Sequence, residues 1–353
     1  MTKKLDRRNA IKASIAAGFS AVGAKRAHSA VLPKVTDDHP PFLTPFSPPT
    51  NFKRDLTPGT TPVRLASWSK STTIDYKRDG GISITEMVKR VRDSGYTAAN
   101  ASIRRSIWLD ASDSEIRELT DALKRYDVDF FDMHTTGSNI HPDPVEREKV
   151  YRYTVDSCVA AEKTGCRMVT THTGSAGNER AMSPHKDNWT WATWKESVRV
   201  MRKILKDTAG MKVPLAVEAT NMTAMNNPRA HLQLIEEIGD PRLKVCIDPV
   251  NMINLSCYYR NTELIEECFD LLGNHIIAAH AKDSYILPNK MSAYITEVAP
   301  GKGVIDYETY LVRLSRLDWP RVLLIEHIPD EEYPGAKKYI EDTAARVGVK
   351  MYK

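Results

Sequence analysis

From about residue 62 onward, short apolar runs alternate with longer stretches in which apolar residues recur at helical spacing. The runs predict eight strands: Val63–Trp68, Thr97–Ser102, Val128–His134, Arg167–Thr173, Val213–Thr220, Leu243–Pro249, Ile276–Lys282 and Val322–His327. The intervening stretches predict helices over Ile84–Asp93, Asp113–Arg125, Val145–Lys163, Trp194–Asp207, Arg229–Ile238, Glu263–Leu272 and Tyr307–Leu317, with a last one over Ala336–Val347. Continuously apolar strands are expected where both faces of a parallel sheet are buried. Gly95, Gly165, Gly210 and Pro241 punctuate helix-to-strand turns. Eight such units over about 290 residues predict an α/β fold, a single-domain (β/α)8 TIM barrel spanning 62–353. A doubly wound sheet is the competing arrangement, but no Gly-rich phosphate fingerprint follows the first strand.

The first 61 residues do not share this pattern. Residues 1–29 carry Arg7-Arg8 in a basic start, a small-residue apolar stretch from Ala13 to Ala24, and Ala27-His28-Ser29 before Ala30. That layout predicts a signal peptide of twin-arginine type, with Ala10 replacing the usual bulky apolar residue. The expected location is therefore the periplasm or another extracytoplasmic space. Residues 30–61 are rich in Pro, Thr and Asp and read as an extended linker. No stretch reaches the roughly 20 apolar residues of a stable membrane span.

Charge adds one exclusion. The net charge is +5, but residues 1–30 hold seven basic side chains and one acidic. The remainder has 43 basic and 44 acidic residues, a net of −1, so the basic balance is no argument for a nucleic-acid partner. The five cysteines form no CxxC pair and indicate no disulfide framework.

In a barrel, function gathers at the C-terminal ends of the strands. The fifth strand ends Pro214-Leu-Ala-Val-Glu218 and the sixth Val245-Cys-Ile-Asp248. The seventh ends Ile277-Ala-Ala-His280 and the eighth Leu323-Leu-Ile-Glu326. Three carboxylates crowded into a half-buried mouth repel one another, and a bound dication offsets that repulsion. Mixed oxygen and nitrogen ligation suits one Mn2+, Mg2+ or Co2+ ion better than structural Zn2+, with Mn2+ the first choice.

The stretches Val217-Glu218-Ala219, Ile247-Asp248-Pro249-Val250-Asn251, His280-Ala281-Lys282-Asp283 and Ile325-Glu326-His327, with Gly301-Lys302-Gly303 and Ile305-Asp306-Tyr307, carry a resemblance. Over roughly residues 62–350 the chain resembles the xylose-isomerase-like sugar phosphate isomerase/epimerase superfamily. The resemblance implies a metal bound by Glu218, Asp248, His280 and Glu326. It also implies that Glu218 and Glu326 form the proton-transfer pair of a sugar isomerase or epimerase, acting beside a carbonyl through an enediolate. Such barrels often form homo-oligomers. Ketose epimerases usually have His three residues after the aspartate ligand; here that position is Asn251, which puts simple ketose 3-epimerisation in doubt.

Further residues are expected to contact substrate. His134 and His172 end the third and fourth strands and are candidates for substrate, or for a second metal. Asn251 is a candidate hydrogen-bond donor to a sugar hydroxyl, or a loop cap. Lys282 falls on the same side of its strand as His280; it either neutralises an oxyanion or ion-pairs with Asp248 or a glutamate. Trp68 and Trp108 are candidates for stacking on a sugar ring. Trp189, Trp191 and Trp194 are expected to anchor the loop into the fourth helix. The leading function is a metal-dependent isomerase or epimerase of a small sugar or glycoside. The alternatives are a lyase or hydrolase acting on 3-keto-glycosides, which export favours, and a non-catalytic sugar-binding barrel. A related endonuclease of abasic DNA would need a richer His/Glu set and a basic face.

Overall fold

The computed structural model describes residues 46, 52–75, 81–101, 108–318 and 321–353. The expected signal peptide and most of the expected linker lie outside the described residues, as does Ser102 at the end of the second expected strand. The strands are β1 (Val63–Ser67), β2 (Ala98–Ala101), β3 (Asp129–His134), β4 (Met168–Thr171), β5 (Leu215–Glu218), β6 (Leu243–Ile247), β7 (Ile276–Ala281), β8 (Asp283–Ile286), β9 (Ile295–Val298) and β10 (Arg321–Ile325). Eight of them form one parallel sheet in the order β1-β10-β7-β6-β5-β4-β3-β2. Its two edges approach through the Thr97 N–H, which donates to the Leu65 carbonyl at 3.1 Å. The result is a nearly closed (β/α)8 barrel.

The long helices are α1 (Ile84–Asp93), α2 (Asp113–Tyr126), α3 (Pro144–Thr164), α4 (Trp191–Asp207), α5 (Pro228–Ile238), α6 (Asn261–Leu272), α7 (Tyr307–Ser315) and α8 (Tyr333–Arg346), and a single turn, Pro249–Met252, follows Asp248. Local signals set their starts. Ser112 and Glu115 close a capping box on α2, and Pro stands in the first turn of α3 and α5. α4 starts three residues before the expected Trp194 because the Thr190 hydroxyl caps it. Within it the indole N–H of Trp194 donates to Glu237 at 3.0 Å, and Trp191 meets Trp194 edge-on. Among the described residues, no helix is long and apolar enough to cross a membrane.

The barrel interior is narrow and filled by Ala66, Ala98, Phe131, Met168, Ala216, Cys246, Ile277, Ala278, Val322 and Leu324. Alternation along each strand puts the intervening residues, such as Val217, Ile247 and Ile325, into the larger core under the helices. Two strands carry an extra residue. On β3, Ala99 pairs with Phe130 and Asn100 with Asp132, so Phe131 is bulged. On β7, Val245 pairs with Ile276 and Cys246 with Ala278, so Ile277 is bulged. Both bulged side chains turn inward, and the next residues, Asp132 and Ala278, turn inward too. Each bulge thus aims the residue two positions further on, His134 or His280, into the mouth of the barrel.

The hairpin β8–β9 was not expected from the sequence. It is antiparallel and separate from the barrel sheet, and it brings Glu297 back beside β7. The Gly301–Gly303 loop after it wraps the buried carboxylate of Asp283. That carboxylate accepts the backbone N–H groups of Ser284 (2.8 Å), Gly301 (3.0 Å) and Ile305 (2.9 Å). A Cβ at residue 303 would stand 2.3 Å from the Ser284 carbonyl oxygen and 2.4 Å from Asp283 Oδ1. Gly303→Ala is therefore expected to cost about 1–3 kcal/mol of stability, read as a lower urea midpoint at unchanged slope. An unchanged midpoint would show that the loop does not grip Asp283 in this way.

Candidate metal centre

Four side chains meet at the C-terminal end of the barrel. Glu218 is the last residue of β5 and His280 the last but one of β7. Asp248 directly follows β6 and Glu326 directly follows β10. One ligand atom from each lies within 4.8 Å of all the others, and all four residues are buried. His280 Nδ1 stands 3.1 Å from Glu218 Oε1, 3.2 Å from Glu326 Oε1 and 3.9 Å from Asp248 Oδ2. Neighbouring ligands held about 2.1 Å from one small dication are roughly 3 Å apart. The two short spacings match that separation and the third lies slightly beyond it. Asp248 Oδ1 is fixed by the backbone N–H groups of Val250 (3.0 Å) and Asn251 (3.2 Å), which leaves Oδ2 turned to the cluster. The residues therefore fit a divalent cation.

The protein already supplies part of the compensating charge. Lys282 is buried, and its Nζ lies 3.0 Å from each of Asp248 Oδ2, Glu326 Oε1 and Glu297 Oε1. Of these oxygens Glu326 Oε1 accepts a hydrogen bond from Nζ, His327 Nδ1 lies 3.3 Å away, and Asp248 and Glu297 contribute as ion pairs. Of the two roles expected for Lys282, the ion pair is the one present. Burial would strip the proton from Lys282, but Asp248, Glu326 and Glu297 outweigh it and hold the group well above its ordinary range. Burial likewise opposes charge on His280, yet Cys246, Glu326 and Glu218 hold it well above the usual imidazole range. At neutral pH the carboxylates carry that effect, because burial pushes the Cys246 thiol up to about 12. Against burial, His280 and His172 hold Glu218 below the ordinary carboxylate range. Burial pushes Asp248 up to about 6 in spite of Lys282.

The remaining candidates divide. His134 Nε2 and His172 Nε2 each lie 3.7 Å from Glu218 Oε2 and 3.5 Å from each other. Burial lowers His172 to about 4, so it is neutral at neutral pH. Trp68 borders the same space, its ring centroid 4.9 Å from that of His134 and 6.4 Å from that of His280. The Asn251 side-chain N–H donates to Glu218 Oε1 at 2.7 Å, so Asn251 orients that carboxylate with one of its two amide N–H groups. Trp108 is corrected. It is fully buried, its indole N–H donates to the Ile74 carbonyl at 3.1 Å, and it meets Phe130 in the core under the helices. Its surface is consumed by packing and offers no face to a sugar.

Three residues at the site were not selected from the sequence. Glu297 is carried in by the hairpin, and no spacing rule points to it. His327 follows Glu326 in left-handed backbone (φ 55°) and lies 3.2 Å from Glu297 Oε2. Asp132 lies two residues before His134, and strand alternation was a signal that could have found it.

The family model described as xylose isomerase-like TIM barrel matches residues 88–347. No curated protein matches the chain significantly. Among solved structures, a xylose isomerase-like TIM barrel protein from Mycobacterium smegmatis in complex with magnesium is 15% identical, with a TM-score of 0.56 over 82% of this chain and 97% of that one. The 3-keto-D-glucoside 4-epimerase of E. coli is 14% identical, with a TM-score of 0.54 over 81% and 99%. Endonuclease IV from Thermus thermophilus is 14% identical, with a TM-score of 0.58 over 81% and 99%. At these identities the likeness is one of fold, and the neighbours' chemistries differ. The match to the family model spans most of the barrel, and the chain belongs to the xylose isomerase-like TIM barrel family.

Proposed function

We propose that this protein is a divalent-metal-dependent enzyme that moves a proton beside the carbonyl of an unphosphorylated sugar, as an isomerase or epimerase. The observation that supports this most is the convergence of Glu218, Asp248, His280 and Glu326 from four strand ends. These four would hold the ion, and an oxygen-rich set with one imidazole suits Mn2+, with Mg2+, Co2+ or Zn2+ as alternatives. The ion would supply positive charge beside a carbonyl oxygen, which acidifies the neighbouring C–H.

The chain's own groups then handle the proton. Glu218 Oε1 is engaged by Asn251 and His280, whereas Oε2 meets His134 and His172 only at 3.7 Å, beyond ordinary hydrogen-bond length. Glu218 Oε2 is thus the atom placed to take a carbon-bound proton. Glu326, whose Oε1 lies 3.2 Å from the same His280 Nδ1, would return a proton from the opposite face. Trp68 would shield one side of the bound sugar. Barrel enzymes often bind phosphate in the loops after strands seven and eight. Here the amides of the loop that follows the hairpin are spent on Asp283, which favours a substrate without phosphate.

A second reading is elimination from a 3-keto-glycoside, in which the same proton removal expels the glycosidic oxygen. The export expected from residues 1–29 supports it, since glycosides are available outside the cytoplasm. The test has two arms. Elemental analysis of the purified protein is expected to find about one equivalent of Mn2+, Mg2+, Co2+ or Zn2+. Solvent deuterium is expected to enter D-fructose or a 3-keto-glucoside, and release of the aglycone would select elimination. A protein that retains no divalent metal after each is supplied would leave a sugar-binding barrel as the better reading.

A further inference from the structure

Beneath His134 in the barrel interior lies a carboxylate that the proposed reaction does not use. Asp132 is fully buried, and the bulge at Phe131 turns it to the same side of β3 as His134. Its Oδ1 accepts the Thr170 N–H at 3.0 Å. Its Oδ2 faces His134 Nδ1 at 3.4 Å, and among the described residues neither of these two buried atoms has a hydrogen-bond partner, so each is the other's nearest means of satisfaction. An ionised carboxylate can only accept, so a proton that satisfies both atoms would be carried by the imidazole. A neutral imidazole protonated at Nδ1 carries its lone pair at Nε2. That atom is the one that faces Glu218 Oε2 and His172 Nε2.

We propose that Asp132 is a positioning residue that holds His134 as the Nδ1–H tautomer, so that His134 Nε2 and Glu218 Oε2 form a paired acceptor edge for a sugar hydroxyl. The 3.7 Å spacings leave Glu218 Oε2 unspent, and the His134–His172 contact at 3.5 Å is a hydrogen bond at its long limit, which an incoming hydroxyl would replace. A substrate O–H entering there donates its single proton to one of these acceptors and sets the sugar beside the atom that takes its carbon-bound proton. The arrangement parallels the general way in which a carboxylate behind an imidazole fixes which nitrogen it presents. The hydroxyl part rests on the sugar substrate proposed above; the tautomer part does not.

The decisive substitution is Asp132→Asn. The Thr170 N–H pins an acceptor oxygen on its own side, so the new amide would turn its NH2 toward His134. That would force the imidazole to accept at Nδ1 and to carry its proton at Nε2, reversing the edge. Nitrogen-15 chemical shifts of the histidine-labelled full-length protein read this directly, with His134 assigned by its loss in His134→Gln. The expected result is Nδ1–H in wild type and Nε2–H in Asp132→Asn. With D-fructose or a 3-keto-glucoside as probe, KM for deuterium exchange should rise about tenfold in the variant, with a smaller change in kcat. Nε2–H in wild type, or an unmoved tautomer in a folded Asp132→Asn, overturns the inference. Should the variant fail to fold, the wild-type tautomer alone decides. A wild type that exchanges deuterium into neither sugar removes the proposed function, and the tautomer still decides the role of Asp132.

Discussion

Glu218→Gln and Glu326→Gln are each expected to lower the rate of deuterium exchange into sugar by about 10²–10⁴-fold, the range over which a positioned general acid or base contributes. Both side chains reach His280 Nδ1, at 3.1 and 3.2 Å, so each change also removes a candidate ligand. Separating the two effects requires metal analysis of the same samples. A variant that keeps its metal but loses exchange has lost proton transfer; one that loses both has lost the site. The double variant should be little worse than either single one, because groups acting as a unit are not additive. Glu218→Gln should be the more damaging to geometry, since Gln in place of the carboxylate disturbs the Asn251 contact at 2.7 Å as well. Retention of wild-type exchange in either variant would remove that residue from the reaction.

The sequence made the barrel legible because parallel strands buried on both faces write themselves as unbroken apolar runs. Pro214–Glu218, Val245–Asp248 and Leu323–Glu326 each place the polar residue at the strand end, where simple alternation carries it inward. His280 and His134 stand at strand ends by the same pattern, yet their orientation depends on the bulges at Ile277 and Phe131, which no single-chain pattern announces. The side on which Lys282 falls, just after β7, follows from alternation with His280, but its three carboxylate partners come from separate parts of the chain. Glu297 shows the limit most clearly. It arrives on a hairpin with weak alternation, and its role exists only through its contacts with Lys282 and His327. Trp108 shows the converse error. An aromatic residue near a strand end looks like a sugar platform until packing is known, and here the barrel-to-helix core takes its whole surface.

Lys282→Met is expected to destabilise the metal-free protein by about 3–5 kcal/mol, the range seen when one partner of a buried ion pair is removed. Nζ lies 3.0 Å from Asp248, Glu326 and Glu297, and the Lys282 side chain has no solvent exposure. Without it, Glu218, Asp248 and Glu326 face one another with His280 among them and His327 at 3.8 Å from Glu326 to share a positive charge. A methionine has similar length and fills the space, so the loss would reflect charge and not a cavity. Divalent metal supplies the missing charge. Mn2+ should therefore raise the unfolding midpoint of Lys282→Met by more than it raises that of wild type, if both bind it. Binding at 100 times Kd stabilises by about 2.7 kcal/mol, enough to recover a large part of the deficit. Urea unfolding with and without Mn2+ measures both quantities. A metal-free variant as stable as wild type would show that Lys282 does not neutralise the cluster. A destabilised variant that gains no more than wild type from Mn2+, Mg2+, Co2+ or Zn2+ would instead count against a cation bound among these carboxylates.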